Sequence, residues 1–462
     1  MVSDSILPDI FVETLRSIVG TAHLRTDELS RDAYGVDALQ HGRRADIVVL
    51  PGVTAEVADV ALACNQAGVP LTARGAGTGY TGGAVPVVGG VVLSLERLNR
   101  IIEIDTANLL AVVEPNVVTA DLQAAVEQHG LFYPPDPASL SQSVIGGNVA
   151  ECAGGPRAFK YGTTKRYVLG LEAVLPTGQV IRTGGKSVKN VVGYDLTQLL
   201  VGSEGTLAIV TQVILRLIPQ PPARTTVQAR FPSVSRAIEA VGNMVADGVV
   251  PAALELIDAD CIRATENHHG IEPSGTGAVL LIEVDGMPAS LVEEAERVTR
   301  ACASADGTVT LAVNEEQRER LWSDRRDLSL VLRALAPRKI NHDVVVPKGR
   351  IPQLFEVIAR LKEVHKLAMP SFGHVGDGNI HVNILVDPAD AEAMRRAGQA
   401  ERQLFEEVVA LEGSISGEHG IGFSKARFLG LELSSDTIEL MRRLKHAFDP
   451  NGILNPGKIF PD

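Results

Sequence analysis

Three glycine-rich segments interrupt the first half of this 462-residue chain, at residues 75–83, 146–155 and 202–206. Glycine adopts turns that other residues resist and lets backbone N–H groups approach an anion closely. The first segment contains GxG but lacks the Rossmann pattern, because Pro86 and a further strand follow too soon for the required helix. Alone it could be a plain loop. Together the three segments predict a backbone cradle for a ligand that carries a pyrophosphate.

Charge and cysteine content exclude several classes of protein. The net charge of −13 argues against nucleic acid as a partner, since phosphate backbones require a basic surface. The four cysteines form no CxxC pair, so neither an iron–sulfur cluster nor a zinc ribbon is indicated; their scatter is typical of a reducing compartment. The N-terminus does not resemble a signal peptide, and no run of about 18 apolar residues occurs. We therefore expect a cytoplasmic protein without a transmembrane segment.

The length of the chain predicts two or more domains. A proline cluster at 219–222 marks the clearest boundary. Before it, the pattern predicts a helix over 54–67 that ends at a glycine, and paired strands within 91–105. Beyond it, helices and strands alternate, with one helix predicted over 351–365, which favours an α+β domain with an antiparallel sheet.

Two histidine motifs flanked by glycine stand out in the second half: GHVGDGNIHVN at 373–383 and SGEHGIG at 416–422. Strand alternation places Asn379, His381 and Asn383 on one face, which is a poor core face and a good wall for a polar site. A glycine-rich turn could bring His374 back beside His381.

Glycines on both sides of Glu418 and His419 would let the backbone carry these two side chains close to a ligand. Two imidazoles and a carboxylate can bind Zn²⁺ or a similar divalent ion and leave coordination positions open, with His419 remaining free as a base. The alternative is that these histidines cap turns or make core hydrogen bonds; two such motifs in one domain favour the site. Other histidines we expect to be structural or exposed, His342 being the least certain; examples are His268, His269, His342, His365 and His446.

The glycine-rich blocks, taken with PPDPASLSQSV and the YG at 161–162, closely resemble the FAD domain of vanillyl-alcohol oxidase type flavoproteins over residues 40–220. The resemblance implies an α+β protein with a two-subdomain FAD-binding domain at 1–220. FAD would be noncovalent, because the first loop lacks the histidine to which some relatives attach it. The cofactor contacts carried over from the family are Arg74, Gly75, Ala76, Gly77, Thr78, Gly79, Thr81, Gly82, Pro135, Asp136, Ser139, Gly146, Gly147, Asn148, Gly154, Gly155 and Tyr161, with Glu204, Gly205 and Ile209 near the adenine.

The second half, with FDPNGILNPGK near its end, resembles the FAD-linked 2-hydroxy-acid dehydrogenases, which include D-lactate dehydrogenases, the glycolate oxidase flavin subunit and D-2-hydroxyglutarate dehydrogenases. The resemblance implies a substrate and metal domain at 221–425 with an antiparallel sheet, and a C-terminal helical segment at 426–462 that returns to the flavin. The roles it implies are metal ligands His374, His381 and Glu418, general base His419, substrate contacts Arg325, Ser329 and Asn383, and a flavin contact at Asn455.

These roles imply a coherent chemistry. The metal, expected to be zinc, lowers the pKa of the substrate hydroxyl, His419 accepts the proton, and flavin N5 accepts the hydride from C2. Arg325 orients the carboxylate through a bidentate fork; without the resemblance, a surface salt bridge would be an equal interpretation. The electrons would pass to an acceptor protein or a quinone, and a homodimer is left open.

Asn341 stands where the hydroxyglutarate enzymes carry a lysine for the distal carboxylate, with Lys339 and Arg338 slightly displaced. This position favours D-lactate or glycolate over D-2-hydroxyglutarate, which remains the alternative. Two other classes are also open: a non-enzymatic subunit that holds FAD for electron transfer, and a metallohydrolase without flavin.

Overall fold

The computed structural model describes residues 7–40 and 42–461, with the backbone alone for Asp324. The chain divides into two compact units. The first consists of the chain up to Gly154, Thr163–Gln220, and the segment from Glu418 onward; the second consists of Gly155–Gly162 and Pro221–Gly417. The sequence predicts domain boundaries after residues 220 and 425.

Short strands and helices alternate through the first half of the chain. In order they are α1 (Asp9–Val19), β1 (Leu24–Arg25), α2 (Glu28–Ala33), β2 (Ile47–Val49), α3 (Thr54–Ala67), β3 (Leu71–Arg74), β4 (Val91–Ser94), β5 (Ile101–Asp105), β6 (Leu110–Val113), α4 (Thr119–Glu127), β7 (Leu131–Phe132), α5 (Ile145–Glu151), α6 (Ala158–Tyr161), β8 (Val168–Val174), β9 (Val180–Gly184), α7 (Leu196–Leu200), β10 (Ile209–Arg216) and β11 (Ile218–Pro219).

Longer elements follow in the second half. They are β12 (Ala223–Phe231), α8 (Val234–Ala246), β13 (Ala253–Asp258), α9 (Ala259–His268), β14 (Ala278–Gly286), α10 (Pro288–Ser304), β15 (Thr308–Leu311), α11 (Glu315–Ala334), β16 (Arg338–Val345), α12 (Ile351–His365), β17 (Ser371–His374), β18 (Asn379–Val386), α13 (Ala391–Ala410), α14 (Leu429–Glu432) and α15 (Ser435–Phe448).

The first unit contains two main sheets. One has the order β1-β2-β4-β3, with β2 and β3 parallel to β4, and the other is antiparallel with the order β5-β6-β10-β8-β9. Helices α1 and α3 pack on the first sheet through an apolar core that includes Leu15, Val60 and Leu93. Such burial is the main favourable contribution to folding. The first glycine-rich segment, 75–83, directly follows β3, and the third, 202–206, lies just before β10, whereas the second, 146–155, begins inside α5.

The second unit is built on a seven-stranded antiparallel sheet with the order β15-β12-β14-β13-β17-β18-β16. Helices α8, α10 and α13 pack against this sheet, and α12 packs on α8 and α13. Helices α9 and α11 pack against its strands as well as against each other. On β18 the side chains of Ile380, Val382 and Ile384 are fully buried, alternating with polar residues as the sequence predicts.

Several element predictions are confirmed, and one is wrong. Helix α3 covers Thr54–Ala67 and ends at Gly68, which has left-handed backbone angles, as expected. The strands predicted to pair within 91–105 do not pair: β4 joins the mixed sheet and β5 the antiparallel one. Alternation indicates that both are strands but cannot assign their partners. Among the described residues, no helix is long and apolar enough to cross a membrane.

Candidate functional site

The glycine-rich segments of the first unit lie against one another. A Cβ on Gly75 would approach Val144 Cγ2 to 2.6 Å and the backbone nitrogen of Gly147 to 3.9 Å, so the first segment passes beside the second. The third segment joins the second because Glu204 N–H donates to the Ala150 carbonyl at 2.8 Å. Segments that are distant in sequence therefore form one glycine-lined region, as a backbone cradle requires.

Asn455 fastens the C-terminal segment to this region. Its Nδ2 donates to the Gly83 carbonyl at 2.9 Å and to the Glu204 carbonyl at 2.7 Å. Its Oδ1 accepts from Lys458 Nζ at 2.8 Å, and Asn455 is 2% exposed. The amide of Asn455 therefore links the first and third glycine-rich segments.

The side chains of several predicted cofactor contacts have partners within the protein. Arg74 donates to the Val36 carbonyl at 2.8 Å, and the Asn148 amide donates to Thr119 Oγ1 at 2.8 Å. Ile209 lies in the hydrophobic core of the first unit. In the second unit, the Tyr161 hydroxyl donates to Asp285 at 2.7 Å. The cofactor contacts predicted from the sequence remain predictions.

Strand pairing in the second unit creates a polar face on the sheet. The register of β16 with β18 sets Asp343 opposite His381 and Asn341 opposite Asn383. Asp343 is fully buried, and its Oδ1 lies 3.7 Å from His381 Nδ1. Asn341 Nδ2 donates to Asn383 Oδ1 at 2.8 Å. The side of β18 predicted as a polar wall therefore continues onto β16.

Glu255 on β13 extends the polar face toward His374 and Arg325. Its carboxylate hydrogen-bonds His374 Nδ1 and accepts from Arg325 Nε at 2.6 Å. Burial opposes the charge of Glu255, but Arg325 and His374 outweigh it and bring the pKa of Glu255 down to about 2. Arg325 is 8% exposed and belongs to a buried ion pair, so its alternative interpretation as a surface salt bridge is wrong.

A carboxylate faces the Nδ1 atom of both His374 and His381: Glu255 hydrogen-bonds His374, and Asp343 Oδ1 lies 3.7 Å from His381 Nδ1. Their rings stand edge to face, with centroids 5.2 Å apart. A carboxylate that faces Nδ1 leaves Nε2 as the coordinating atom, which is the usual arrangement at histidine metal ligands. In the described part of the chain, the buried Oδ1 of Asn379, next to this pair, accepts no hydrogen bond. Two neighbouring imidazoles with adjacent oxygen donors fit a divalent cation.

The position of Glu418 is limited by the residue before it. The N–H of Gly417 donates to Asp343 Oδ2 at 2.8 Å, and Ser414 pairs with Val345 at the end of β16. Glu418 is the next residue in the chain, and consecutive Cα atoms are about 3.8 Å apart.

In the first unit, Thr81 Oγ1 donates to the His419 carbonyl at 2.9 Å, and the Tyr80 and His419 rings meet edge to face at 5.0 Å.

Lys339 lies two residues before Asn341 on the same side of β16. It is 7% exposed, and its Nζ donates to Ser329 Oγ at 2.6 Å. Burial and the positive charge of Arg333 lower the pKa of Lys339 to about 8. Arg325 and Ser329 are four residues apart on α11, so they share a helix face. His342, by contrast, alternates to the opposite side of the strand and packs on Phe405 of α13, as expected for a structural histidine.

Sequence reasoning missed Glu255 and Asp343. Asp343 carried a signal, since the apolar run DVVVP, predicted as a strand, begins with an acid. No local pattern distinguished Glu255, which lies 119 residues before His374. Only the pairing of β13 with β17 sets these two residues side by side.

The arrangement is that of a flavoprotein with the vanillyl-alcohol oxidase type FAD-binding fold. The structure resembles p-cresol methylhydroxylase with a TM-score of 0.81 at 16% identity, covering 98% of this chain and 97% of that one. Two family models match the sequence: the FAD binding domain over residues 45–184, and the C-terminal domain of FAD linked oxidases over residues 220–459.

Relatives along nearly the whole chain carry names of 2-hydroxy-acid enzymes. The glycolate oxidase subunit GlcD of Bacillus subtilis (strain 168) is 41% identical, covering 97% of this chain and 96% of its own. The D-lactate dehydrogenase of Archaeoglobus fulgidus is 36% identical, covering 94% and 98%. The chain belongs to the FAD-linked oxidase family and is an FAD-linked oxidoreductase.

Proposed function

We propose that this protein is an FAD-dependent dehydrogenase that oxidises a small 2-hydroxy acid, with D-lactate or glycolate favoured, to the 2-keto acid. The observation that carries the proposal is the polar sheet face of the second unit. There Arg325 and His374 share the carboxylate of Glu255, and His381 stands edge to face with His374. A buried guanidinium beside imidazoles that could bind a metal suits a substrate whose carboxylate and hydroxyl are on adjacent carbons.

Arg325 has a defined task in this proposal. Its Nε is engaged by Glu255, which fixes the plane of the guanidinium. The remaining N–H groups of that plane can then hold a carboxylate through two parallel hydrogen bonds. A guanidinium oriented in advance loses less entropy when it binds the substrate. Lysine at this position would retain the charge but not the fork.

The residues that would hold the divalent cation are His374, His381 and Glu418, with zinc expected. A cation bound there would act as a Lewis acid and lower the pKa of the substrate hydroxyl. Glu255 would orient the imidazole of His374 through Nδ1, and Asp343 would supply a negative charge 3.7 Å from Nδ1 of His381. Glu418 follows Gly417, which is tied to Asp343, and this supports its inclusion.

His419 is the proposed base that accepts the hydroxyl proton. The hydrogen bond from Thr81 to its carbonyl and the edge of Tyr80 restrict its backbone and ring. A base held in one geometry avoids the cost of ordering it during the reaction. Bound FAD, in the domain whose family model matches residues 45–184, supplies the two-electron acceptor, flavin N5.

The test is reduction of the flavin in the purified holoenzyme. D-lactate or glycolate should bleach the yellow protein under anaerobic conditions, and a chelator should abolish the bleaching until a divalent metal is restored. His381→Gln should slow it by about 100-fold or more, because it removes a ligand of the Lewis acid. His342→Gln, on the opposite side of the sheet, is the matched control and should bleach normally. If no 2-hydroxy acid in a D and L panel reduces the flavin, the proposal is wrong.

Lys339 supports a second candidate substrate class, the 2-hydroxy dicarboxylates, of which D-2-hydroxyglutarate is one. Asn341, by its position in the sequence, favours monocarboxylates. Alternation along β16 puts Lys339 on the same side as Asn341, so an ammonium group is also present on this wall. Such a group could pair with a distal carboxylate. The substrate panel should therefore include dicarboxylates.

A further inference from the structure

The loop that follows His419 is held by Glu204, a buried residue that takes no part in the proposed transfer of the proton and the hydride. Glu204 Oε1 accepts the N–H of Ile421 and Oε2 accepts the N–H of Gly422, both at 2.7 Å. Glu204 is 6% exposed and has a positive φ of 52°, an unusual conformation for a residue other than glycine. A strained residue with both carboxylate oxygens committed to one loop indicates a role for that loop.

Other contacts hold the same loop from several directions. The Gly422 carbonyl accepts from Ile459 N–H at 2.8 Å, and Phe423 N–H donates to the Thr81 carbonyl at 3.1 Å. Thr81 also donates through its hydroxyl to the His419 carbonyl. The backbone on both sides of Gly420 is therefore fixed, and Glu204 supplies the only side-chain carboxylate among these contacts.

A second carboxylate converges on Gly420. A Cβ on Gly420 would lie 2.2 Å from Glu151 Oε2 and 2.9 Å from Glu204 Oε1, and Gly420 has a φ of +74°. In the described part of the chain, Glu151 Oε2 is buried and makes no hydrogen bond. The two carboxylates thus meet at the glycine that directly follows His419, where no side chain fits.

The environment places the negative charge of this pair on Glu204. Burial and repulsion by Glu204 raise the pKa of Glu151 well above its ordinary value. Burial also raises the pKa of Glu204, but the two N–H donors, Lys458 and Lys425 act against it. Hydrogen bonds to the charged form favour that form. A charged acceptor holds the two N–H groups more strongly than a neutral one would.

We propose that Glu204 is a positioning residue for the base, acting through Ile421 and Gly422 to hold His419 at the geometry that proton transfer requires. The inference rests on the proposed role of His419. Glu204 touches neither substrate nor reacting atoms in this proposal, so its effect passes through the loop.

Glu204→Gln is the direct test. Gln can accept one N–H through its oxygen but presents its own NH₂ to the other, so one hydrogen bond is lost and two donors face each other. Amide hydrogen exchange should show protection at Ile421 and Gly422 falling by about tenfold to a hundredfold. Glu114→Gln is the matched control: Glu114 is another buried carboxylate, which accepts the backbone N–H of Arg100 at 2.8 Å, and it does not contact the loop. This control should leave the exchange at both loop amides unchanged.

A double-mutant cycle with His419→Ala then tests the consequence. Glu204→Gln alone should lower kcat by about tenfold or more with little change in KM, since the base is misplaced and the substrate contacts are intact. In the His419→Ala background, Glu204→Gln should have no further effect on kcat, because groups acting as a unit are not additive. The inference would be overturned if the two substitutions lowered kcat by independent factors that multiply in the double variant. Unchanged hydrogen-exchange protection at Ile421 and Gly422 in Glu204→Gln would also overturn it. Normal turnover by His419→Ala would instead show that the proposed base is wrong.

Discussion

Replacing Glu255 by glutamine removes the charge that joins Arg325 and His374 in the second unit. The carboxylate is fully buried, and its pKa of about 2 lies below the ordinary value of 4.5. That difference corresponds to about 3 kcal/mol of stability at neutral pH. Removing one partner of a buried ion pair costs about 3–5 kcal/mol in other proteins, which agrees in size. Glu255→Gln should therefore lower the free energy of unfolding by about 3 kcal/mol at pH 7.

The contribution of Glu255 to stability should decrease as the pH falls. Because the folded-state pKa is lowered, the contribution of Glu255 is fully present above pH 4.5 and is lost as the pH falls toward 2. At pH 3 the difference in free energy of unfolding between the wild type and Glu255→Gln should be less than about half of its value at pH 7.

The assay is urea unfolding followed by the fluorescence of Trp322, the only tryptophan of the chain. Trp322 lies three residues before Arg325 on α11 and donates to Thr226 at 3.4 Å, so it reports on the second unit. Glu266→Gln is the control, because Glu266 is buried but accepts only a backbone N–H, from Ser274, in the described structure. The reasoning would be refuted if the loss of unfolding free energy in Glu255→Gln were the same at pH 7 and pH 3. It would also be refuted if that loss were equal to the loss in Glu266→Gln.

Two further substitutions test other parts of the structure. Gly420→Ala should lower the free energy of unfolding by at least about 1–2 kcal/mol, from the positive φ and the approach of two carboxylates, together with a loss of turnover. Gly430→Ala, where a Cβ would meet nothing within 4 Å, should be neutral or stabilise slightly; equal results in urea unfolding would contradict the account. Lys339→Met should reduce kcat/KM for a 2-hydroxy dicarboxylate by about tenfold or more and leave D-lactate unaffected, because only the former needs a second cation. Equal losses of kcat/KM on both substrates would show that Lys339 does not bind a distal carboxylate.

The sequence predicts best those features that depend on residues close together in the chain. The period of two along β18 assigns Asn379, His381 and Asn383 to one face, and the strand has that arrangement. Helix α12 begins and ends where apolar spacing predicts, at Ile351 and His365. These features depend on neighbours within one element, so the sequence carries them in full.

Strand partners are not predictable in the same way. The pairing expected within 91–105 is wrong because sheet partners are chosen by packing across the whole unit. The same limit hides Glu255, whose distance in sequence from His374 leaves no periodic signal, although the register of β13 and β17 sets them opposite each other.

Glycine-rich segments, a polar strand face and two histidine motifs can be read from the sequence alone, because each depends on backbone freedom or side-chain alternation over a few residues. The partners of these groups are set only by the folded chain. In the folded chain, Glu204 accepts a hydrogen bond from a loop 217 residues away, and Thr81 donates one to the carbonyl of His419. Folding also sets carboxylates against the imidazoles of His374 and His381. Hydrogen bonds and ion pairs act only over a few ångströms, so these partners become defined only when folding brings distant segments together.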